Sequence, residues 1–220
     1  MESQVRLVRF NPHHDQKFLD ELAECYRTVF GEHPWSEWKK CPVCAKKWGI
    51  EEMEELCSVG HSHCGSSVVD FWPTEHVKED LFSEITPEAS CWLAIEQMNG
   101  VIGFCWAYPI HANHLEEKLE LSGISNLLKD EFGSEKVGYL DEVGLVQRMR
   151  GKRIAKKLYR AVIRDIIDGG IGVNVMRTKT NPPTVAFHWF IKDGYQVVAE
   201  YNDPDGRVIL AKKLSEADKF

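Results

Sequence analysis

The sequence predicts an α/β (α+β) fold, a mixed central sheet flanked by helices with a small cysteine-rich insertion. Three observations carry that reading. Strand-like and helix-like patterns alternate from Val5 to Leu214. An Asn99-Gly100 pair, a strong short-range hairpin signal, joins two apolar runs. A strand at 137–146 feeds directly into a helix that opens with the basic run RGKRIAKKLYR (150–160). With 220 residues and 43% hydrophobic content, the chain can bury one core and still carry a small inserted module.

Taken in order, VRLVRF (5–10) alternates apolar and polar residues as a half-buried strand does. Asp15 is placed to cap the next helix, whose Phe18, Leu19, Leu22, Cys25, Tyr26 and Phe30 share one face. GEHPWSEW breaks that helix. Two strands follow in CWLAIEQMNGVIGFCWAYP (91–109), then a helical stretch, LEEKLELSGISNLLKDEF, interrupted near Gly123. After the strand VGYLDEVGLV, the residues Ile154, Leu158, Val162 and Ile166 recur at helical spacing, so the basic run opens a helix. GVNVMRTK reads as a strand. PTVAFHWFIKDG reads as a helix, with Pro182 and Pro183 at its start and Gly194 at its end, and YQVVAEY and RVILAKKL flank a turn at Asp203–Gly206. No internal repeat is present.

Composition excludes some classes. A formal net charge of -7 and an isoelectric point near 5.7 oppose a general nucleic-acid binder, which needs many clustered cations to neutralise phosphates. No stretch offers the ~18 consecutive apolar residues of a membrane span, and nothing near Met1 has the form of a secretion signal. The expectation is a cytoplasmic protein without a nucleic-acid or membrane partner. Seven cysteines, an odd number, then point to free thiols or metal ligands and not to a disulfide framework.

Four of those cysteines fall in CPVCAKKWGIEEMEELCSVGHSHC (41–64), which reads Cys-x2-Cys, twelve residues, Cys57, then His61, His63 and Cys64. This is zinc spacing, because Zn²⁺ prefers four tetrahedral thiolate and imidazole ligands. Cys41, Cys44 and Cys64 are the first three ligands. Cys57 and His61 compete for the fourth place, with His63 as a substitute. A closed set of this kind makes the zinc structural, shaping the acceptor side of a site and leaving the chemistry to other residues.

A strand that enters a helix through a loop of free backbone N–H groups makes an anion site, and a pyrophosphate suits it. Arg150, Lys152 and Arg153 add charge there. The stretch LVQRMRGKRIAKKL resembles the acyl-CoA-binding motif of the GNAT acetyltransferases, V-x-x-x-x-R-G-x-G-I-G/A-x-x-L. Leu145 stands for the valine, Arg150-Gly151 and Ile154-Ala155 match, and Leu158 closes the motif. Arg153 stands where the family usually has a glycine. The element order follows the family's order from Val5 to Leu214, with extra residues at 41–64 and around 111–136.

The resemblance implies a GNAT-like acyl-CoA N-acyltransferase fold over residues 1–214, with the inserted segment at 41–64 and a tail at 215–220. It implies acetyl-CoA as cosubstrate, held along Leu145, Val146, Arg150, Gly151, Lys152, Arg153, Ile154 and Ala155, and by Asn181 in TKTNPP after the next strand. The Leu145 N–H would polarise the thioester oxygen. Glu142, eight residues ahead of the motif arginine, stands where the family often has a carboxylate, and it is the candidate base. Its other reading is a solvated or salt-bridged strand carboxylate, and Asp141 is the second candidate. In AFHWFIKDGY the family's frequent tyrosine acid is replaced by Phe190.

The implied activity is acetyl transfer to a primary amine of a small molecule or peptide. The amine would enter beside Glu142, Trp35 and the helices following residues 34 and 114. Acidic residues in 115–135 would suit a cationic acceptor. The alternative, which Phe190 and Arg153 keep open, is an acyl-CoA-binding regulatory or protein-interaction module with a structural zinc knuckle and little catalysis. Oligomeric state is open, with a homodimer among the options.

Overall fold

The structure, a computed structural model, describes residues 4–14, 16–52, 55–57, 64–203 and 206–219. Alternating VRLVR forms β1 (Val5–Arg9), and the amphipathic segment after it forms α1 (Leu19–Gly31), burying Leu22, Cys25, Val29 and Phe30. The expected Asp15 cap lies outside the described residues. Where the sequence suggested a helix after residue 34, the chain instead builds a small antiparallel sheet from β2 (Lys39–Lys40), β3 (Lys47–Trp48) and β4 (Val69–Asp70), in the order β3-β2-β4. The cysteine-rich segment therefore sits inside a unit framed by residues 39 and 70. A helix that the sequence pattern had not disclosed, α2 (Thr74–Glu84), packs against α1 through Val77 and Leu81.

The Asn99-Gly100 turn joins β5 (Ser90–Glu96) to β6 (Gly100–His111). The helical stretch divides, as expected at Gly123, into α3 (Ala112–Leu119) and α4 (Ile124–Phe132). Next come β7 (Lys136–Leu145), α5 (Ile154–Asp168), β8 (Val173–Lys179), α6 (Val185–Lys192), β9 (Gln196–Glu200) and β10 (Arg207–Lys213). Thr184, and not the prolines before it, caps α6 by accepting the Phe187 N–H at 3.0 Å. The final residues form a 3-10 turn, Glu216–Lys219, whose Asp218 meets Lys212 at 2.5 Å and whose Lys219 meets Asp168 at 2.8 Å.

Seven strands form the main sheet in the order β1-β5-β6-β7-β8-β10-β9. β1 pairs antiparallel with β5, and β10 pairs antiparallel with both β8 and β9. The β7–α5–β8 crossover makes β7 and β8 a parallel pair, as such a connection requires. The chain divides into two compact units, one of residues 1–87, 92–104 and 144–158, the other of residues 88–91, 105–143 and 159–220. In the second unit, Leu115, Leu119, Ile124 and Leu128 of α3 and α4 pack on Val137, Tyr139, Val175 and Ile209 of the sheet. Among the described residues no helix is long and apolar enough to cross a membrane.

The Ala112 N–H bonds the Glu135 carbonyl just before β7, and the Val146 N–H bonds the Ile102 carbonyl just after it. Tyr139 lies beside Tyr108, with ring centroids 5.8 Å apart, and Gly144 lies against Phe104. Gly144 is required at its place, because a Cβ there would lie 2.3 Å from the Phe104 ring.

Candidate active site and cysteine cluster

The parallel register between β7 and β8 runs from Gly138↔Asn174 to Leu140↔Met176, so residues 141–145 continue past the last parallel partner. Since the Val146 N–H points to β6, the preceding N–H, that of Leu145, points to the opposite edge of the strand.

After Leu145 and Val146 the chain makes a short 3-10 turn, Gln147–Met149, then an extended Arg150, then Gly151 with φ +80°. A Cβ added at Gly151 would meet nothing within 4 Å, so this face of the loop is open. Lys152 is exposed, its ammonium 3.4 Å from the Met149 sulfur. The Arg153 carbonyl accepts the Lys157 N–H at 3.2 Å, so the amides of Ile154, Ala155 and Lys156 precede the first intrahelical bond of α5. They present the positive end of a 15-residue helix.

Arg153 holds φ +61°, the left-handed conformation that suits glycine, so the backbone keeps a glycine-like path although the side chain differs. An L-residue there costs about 1–2 kcal/mol. Arg153→Gly should therefore hold or raise stability, by up to about 1 kcal/mol once the freer unfolded chain is counted, in urea denaturation. A loss of about 1 kcal/mol, as expected for glycine at an ordinary helical position, would contradict the left-handed assignment.

The motif arginine is engaged elsewhere than at the open face. The Arg150 Nε donates to the Leu145 carbonyl at 3.2 Å, Nη1 donates to the His33 carbonyl at 3.0 Å, and Nη2 meets the Glu32 carboxylate at 3.3 Å. Glu32 also accepts the Gln147 N–H at 2.7 Å. Nearby, Glu21, Cys25, Glu32, Val146 and Arg148 help line a cavity of about 450 Å³. Burial, reinforced by the Glu32 charge, pushes the Cys25 thiol far up, so it stays protonated at neutral pH.

The two carboxylates on β7 differ in surroundings. Asp141 is 8% exposed and accepts the Tyr108 hydroxyl at 2.8 Å and the Lys118 ammonium at 3.2 Å. That ammonium also lies over the Tyr108 and Tyr139 rings, at 5.6 and 5.8 Å. Asp141 is thus the anion of a structural ion pair. Glu142 is half-buried. Its charge is one of the causes that hold the buried Cys105 thiol and the Tyr139 hydroxyl protonated, behind burial in both cases.

Trp35 packs on Phe30, 5.7 Å between centroids, in a cluster with Tyr26 and Trp72. Of the acidic residues in 115–135, Glu116 accepts the Ser125 N–H at 2.9 Å and Glu135 pairs with Lys129.

The inserted unit gathers its thiols. Among the described residues, the Sγ atoms of Cys41, Cys44, Cys57 and Cys64 all lie within 4.8 Å of one another. Cys41 and Cys64 are 3.3 Å apart, and Cys44 and Cys57 are 3.5 Å apart. The Val43 and Cys44 amides both donate to the Cys41 sulfur at 3.4 Å. Such bonds lower the Cys41 thiol, the Cys44 amide contributing most, and the Lys46 amide lowers Cys44 in the same way. The cluster satisfies a four-ligand set without histidine. His61 and His63 lie outside the described residues.

The sequence model of the acetyltransferase (GNAT) family matches residues 16–189 of this chain. The chain belongs to that family. Among solved structures, it is similar to NAA60 of Arabidopsis thaliana in complex with a bisubstrate analogue, at 16% identity and a TM-score of 0.54, over 96% of this chain and 100% of that one. It is similar to the PaiA N-acetyltransferase of Thermoplasma acidophilum in complex with coenzyme A, at 17% identity and a TM-score of 0.54, over 96% and 99%. It is also similar to arylalkylamine N-acetyltransferase 2 of Aedes aegypti, at 15% identity and a TM-score of 0.57, over 96% and 100%. At these identities the likeness is one of fold. No curated protein matches the chain in sequence.

Two positions of the GNAT motif can now be placed. Asn181 is exposed, beside the turn where Thr180 bonds the Gly206 carbonyl. Phe190, in the place of the family's tyrosine, is 2% exposed and packed among Tyr159, Trp189 and Tyr195. Beside it runs a buried chain of donors. The Asn174 amide donates to the Tyr195 hydroxyl at 2.9 Å, Tyr195 and Tyr159 share a bond of 3.0 Å, and Tyr159 donates to Asp193 at 3.0 Å. Burial pushes both phenols above their usual range. This network ties α5, β8 and the α6–β9 turn together, which is a structural role.

Proposed function

We propose that the protein transfers the acetyl group of acetyl-CoA to a primary amine of a small molecule or peptide. The observation that carries this reading is the open loop at Gly151–Ala155, which presents the start of α5 immediately after a strand edge that has lost its parallel partner. The amides of this loop, with Lys152 and Arg153, would hold the pyrophosphate, and Asn181 would add a contact. Acetyl-CoA supplies the acyl group as a thioester. The Leu145 N–H would stabilise the oxyanion that forms when the amine nitrogen adds to the carbonyl carbon. Glu142 would take the proton the amine must lose, directly or through water. As the carbon–sulfur bond breaks, the products are the acetylated amine and CoA.

We also propose that Cys41, Cys44, Cys57 and Cys64 hold one structural Zn²⁺. A Zn–S distance of about 2.3 Å in a tetrahedron separates the sulfurs by about 3.8 Å, close to the separations across the cluster. With four thiolates the site is closed, so the metal would shape the inserted unit and take no part in acyl transfer.

The test of the main reading is release of free CoA thiol from acetyl-CoA in the presence of a panel of amines: alkylamines, arylalkylamines, polyamines, aminoglycosides and lysine-bearing or free N-terminal peptides. Thiol release that depends on one amine class, with the acetylated amine found by mass spectrometry, is the expected result. Tight CoA binding without turnover on any of them would favour the acyl-CoA-binding module instead.

A further inference from the structure

Four consecutive residues at the end of α1, Phe30 to His33, are bonded on one side to the inserted unit and on the other to the loop after β7. On the first side, the Phe30 carbonyl accepts the Glu37 N–H at 2.8 Å and the Gly31 carbonyl accepts the Ile50 N–H at 2.9 Å. A Cβ at Gly31 would stand 2.9 Å from the Trp38 ring, so the contact is close. Trp38 bonds the Trp48 carbonyl, and Trp48 packs in one buried cluster with Cys41 and Cys57. On the second side, Glu32 accepts the Gln147 N–H and the Arg150 guanidinium across 115 and 118 residues of sequence. His33 accepts a second Arg150 donor, and Leu145 accepts the third. Gln147 and Arg150 are therefore pinned to Glu32 and His33, the two residues after α1, and Arg150 in turn holds the Leu145 carbonyl. The turn of residues 30–33 is itself seated on the sheet that carries the cysteine cluster.

We infer that Glu32 is a positioning residue for the acyl-CoA loop, and that through it cofactor affinity depends on the metal state of the four cysteines. The inference rests on the proposed acetyl-CoA and zinc sites. With Zn²⁺ bound, Cys41 and Cys57 hold Trp48, Trp48 and Trp38 hold the Gly31 turn, and Glu32 keeps Gln147 and Arg150 in place. The loop then offers its amides ready-arranged. Without metal, only thiol–thiol and amide–sulfur contacts hold the four cysteines together, the seat of the turn loosens, and ligand binding must supply the ordering. Linkage makes the effect reciprocal: CoA must raise zinc affinity by the factor with which zinc raises CoA affinity.

The experiment uses the full chain and coenzyme A as the probe. Calorimetry gives the CoA Kd of zinc-loaded protein, of protein stripped by a chelator, and of zinc-loaded Glu32→Ala. A chromogenic chelator gives the zinc Kd with and without CoA. Stripping zinc should weaken CoA binding about tenfold, within the usual range for coupled sites, and saturating CoA should tighten zinc by the same factor. Glu32→Ala should weaken CoA binding about tenfold with zinc still bound and bring the coupling factor close to one. Glu32→Gln, which still presents an acceptor oxygen, should recover most of the affinity. If Glu32→Ala does not fold, Arg150→Lys cuts the same tie by removing the guanidinium fork while keeping the charge. A wild-type coupling factor of one, or coupling unchanged by these variants, overturns the inference. The first measurements separate its failure from that of its premises, because a wild type without zinc refutes the metal site and one that never binds CoA refutes the acyl-CoA site.

Discussion

Cys41→Ser combined with Cys44→Ser should yield protein without zinc, whereas wild type should carry about one equivalent per chain. The thiols at 3.3 and 3.5 Å separations, with two amides aimed at the Cys41 sulfur, are arranged as ligands before any metal is considered. Among its described residues the inserted unit has little else to fold around: strands β2, β3 and β4 are two residues each, and the buried cluster is Cys41, Cys57 and Trp48 with Cys64 and Val68 at the margin. In zinc-finger peptides structural Zn²⁺ binds with about 10–16 kcal/mol at neutral pH, and that free energy is folding free energy. Several kcal/mol of it should be visible in the whole chain, so the double variant should melt about 10 °C or more below wild type. Cys91→Ser, at a buried thiol outside the cluster, should leave zinc content unchanged. Metal analysis by mass spectrometry decides the matter: a wild type free of zinc, or a double variant with its zinc intact, refutes the site.

Strands and helices with strong periodicity were legible in the sequence, because the pattern that buries one face is local. The Asn99-Gly100 hairpin, the break at Gly123 and the helix beginning at Ile154 all stand where the pattern put them. The Cys-x2-Cys spacing pointed to residues whose thiols the fold gathers within 4.8 Å of one another. What escaped the sequence depends on partners distant along the chain. α2 buries little beyond Val77 and Leu81, and two-residue strands carry no period at all. Glu32 meets its partners across more than a hundred residues, so nothing local marked it as more than an ordinary helix-end carboxylate. Arg153 is the instructive case between these. By its identity it departs from the family's glycine, yet its backbone takes the conformation that glycine would.

Glu142→Gln should lower turnover about 100-fold to 10,000-fold, the usual effect of losing a general base, while leaving CoA affinity within about twofold. An alkyl amine arrives mostly as ammonium at neutral pH and must lose a proton before its nitrogen can attack a carbonyl. Of the two neighbouring carboxylates on β7, Asp141 already accepts the Tyr108 hydroxyl and pairs with Lys118. An anion so engaged gains little by taking a proton from substrate. Glu142 lies beyond the last parallel partner of β7 and three residues before Leu145, where the family resemblance places a carboxylate, and it is therefore the proposed proton acceptor. Glutamine keeps the size of the side chain and removes its basicity, so the variant tests proton transfer with little change of packing. Turnover must be measured at saturating acetyl-CoA across pH, with CoA affinity determined separately by calorimetry, because a shift of β7 could act through the cofactor alone. Turnover within about threefold of wild type at every pH, a barrier change below about 1 kcal/mol, would sink the assignment and leave Asp141 or a chain of waters as the next route for the proton.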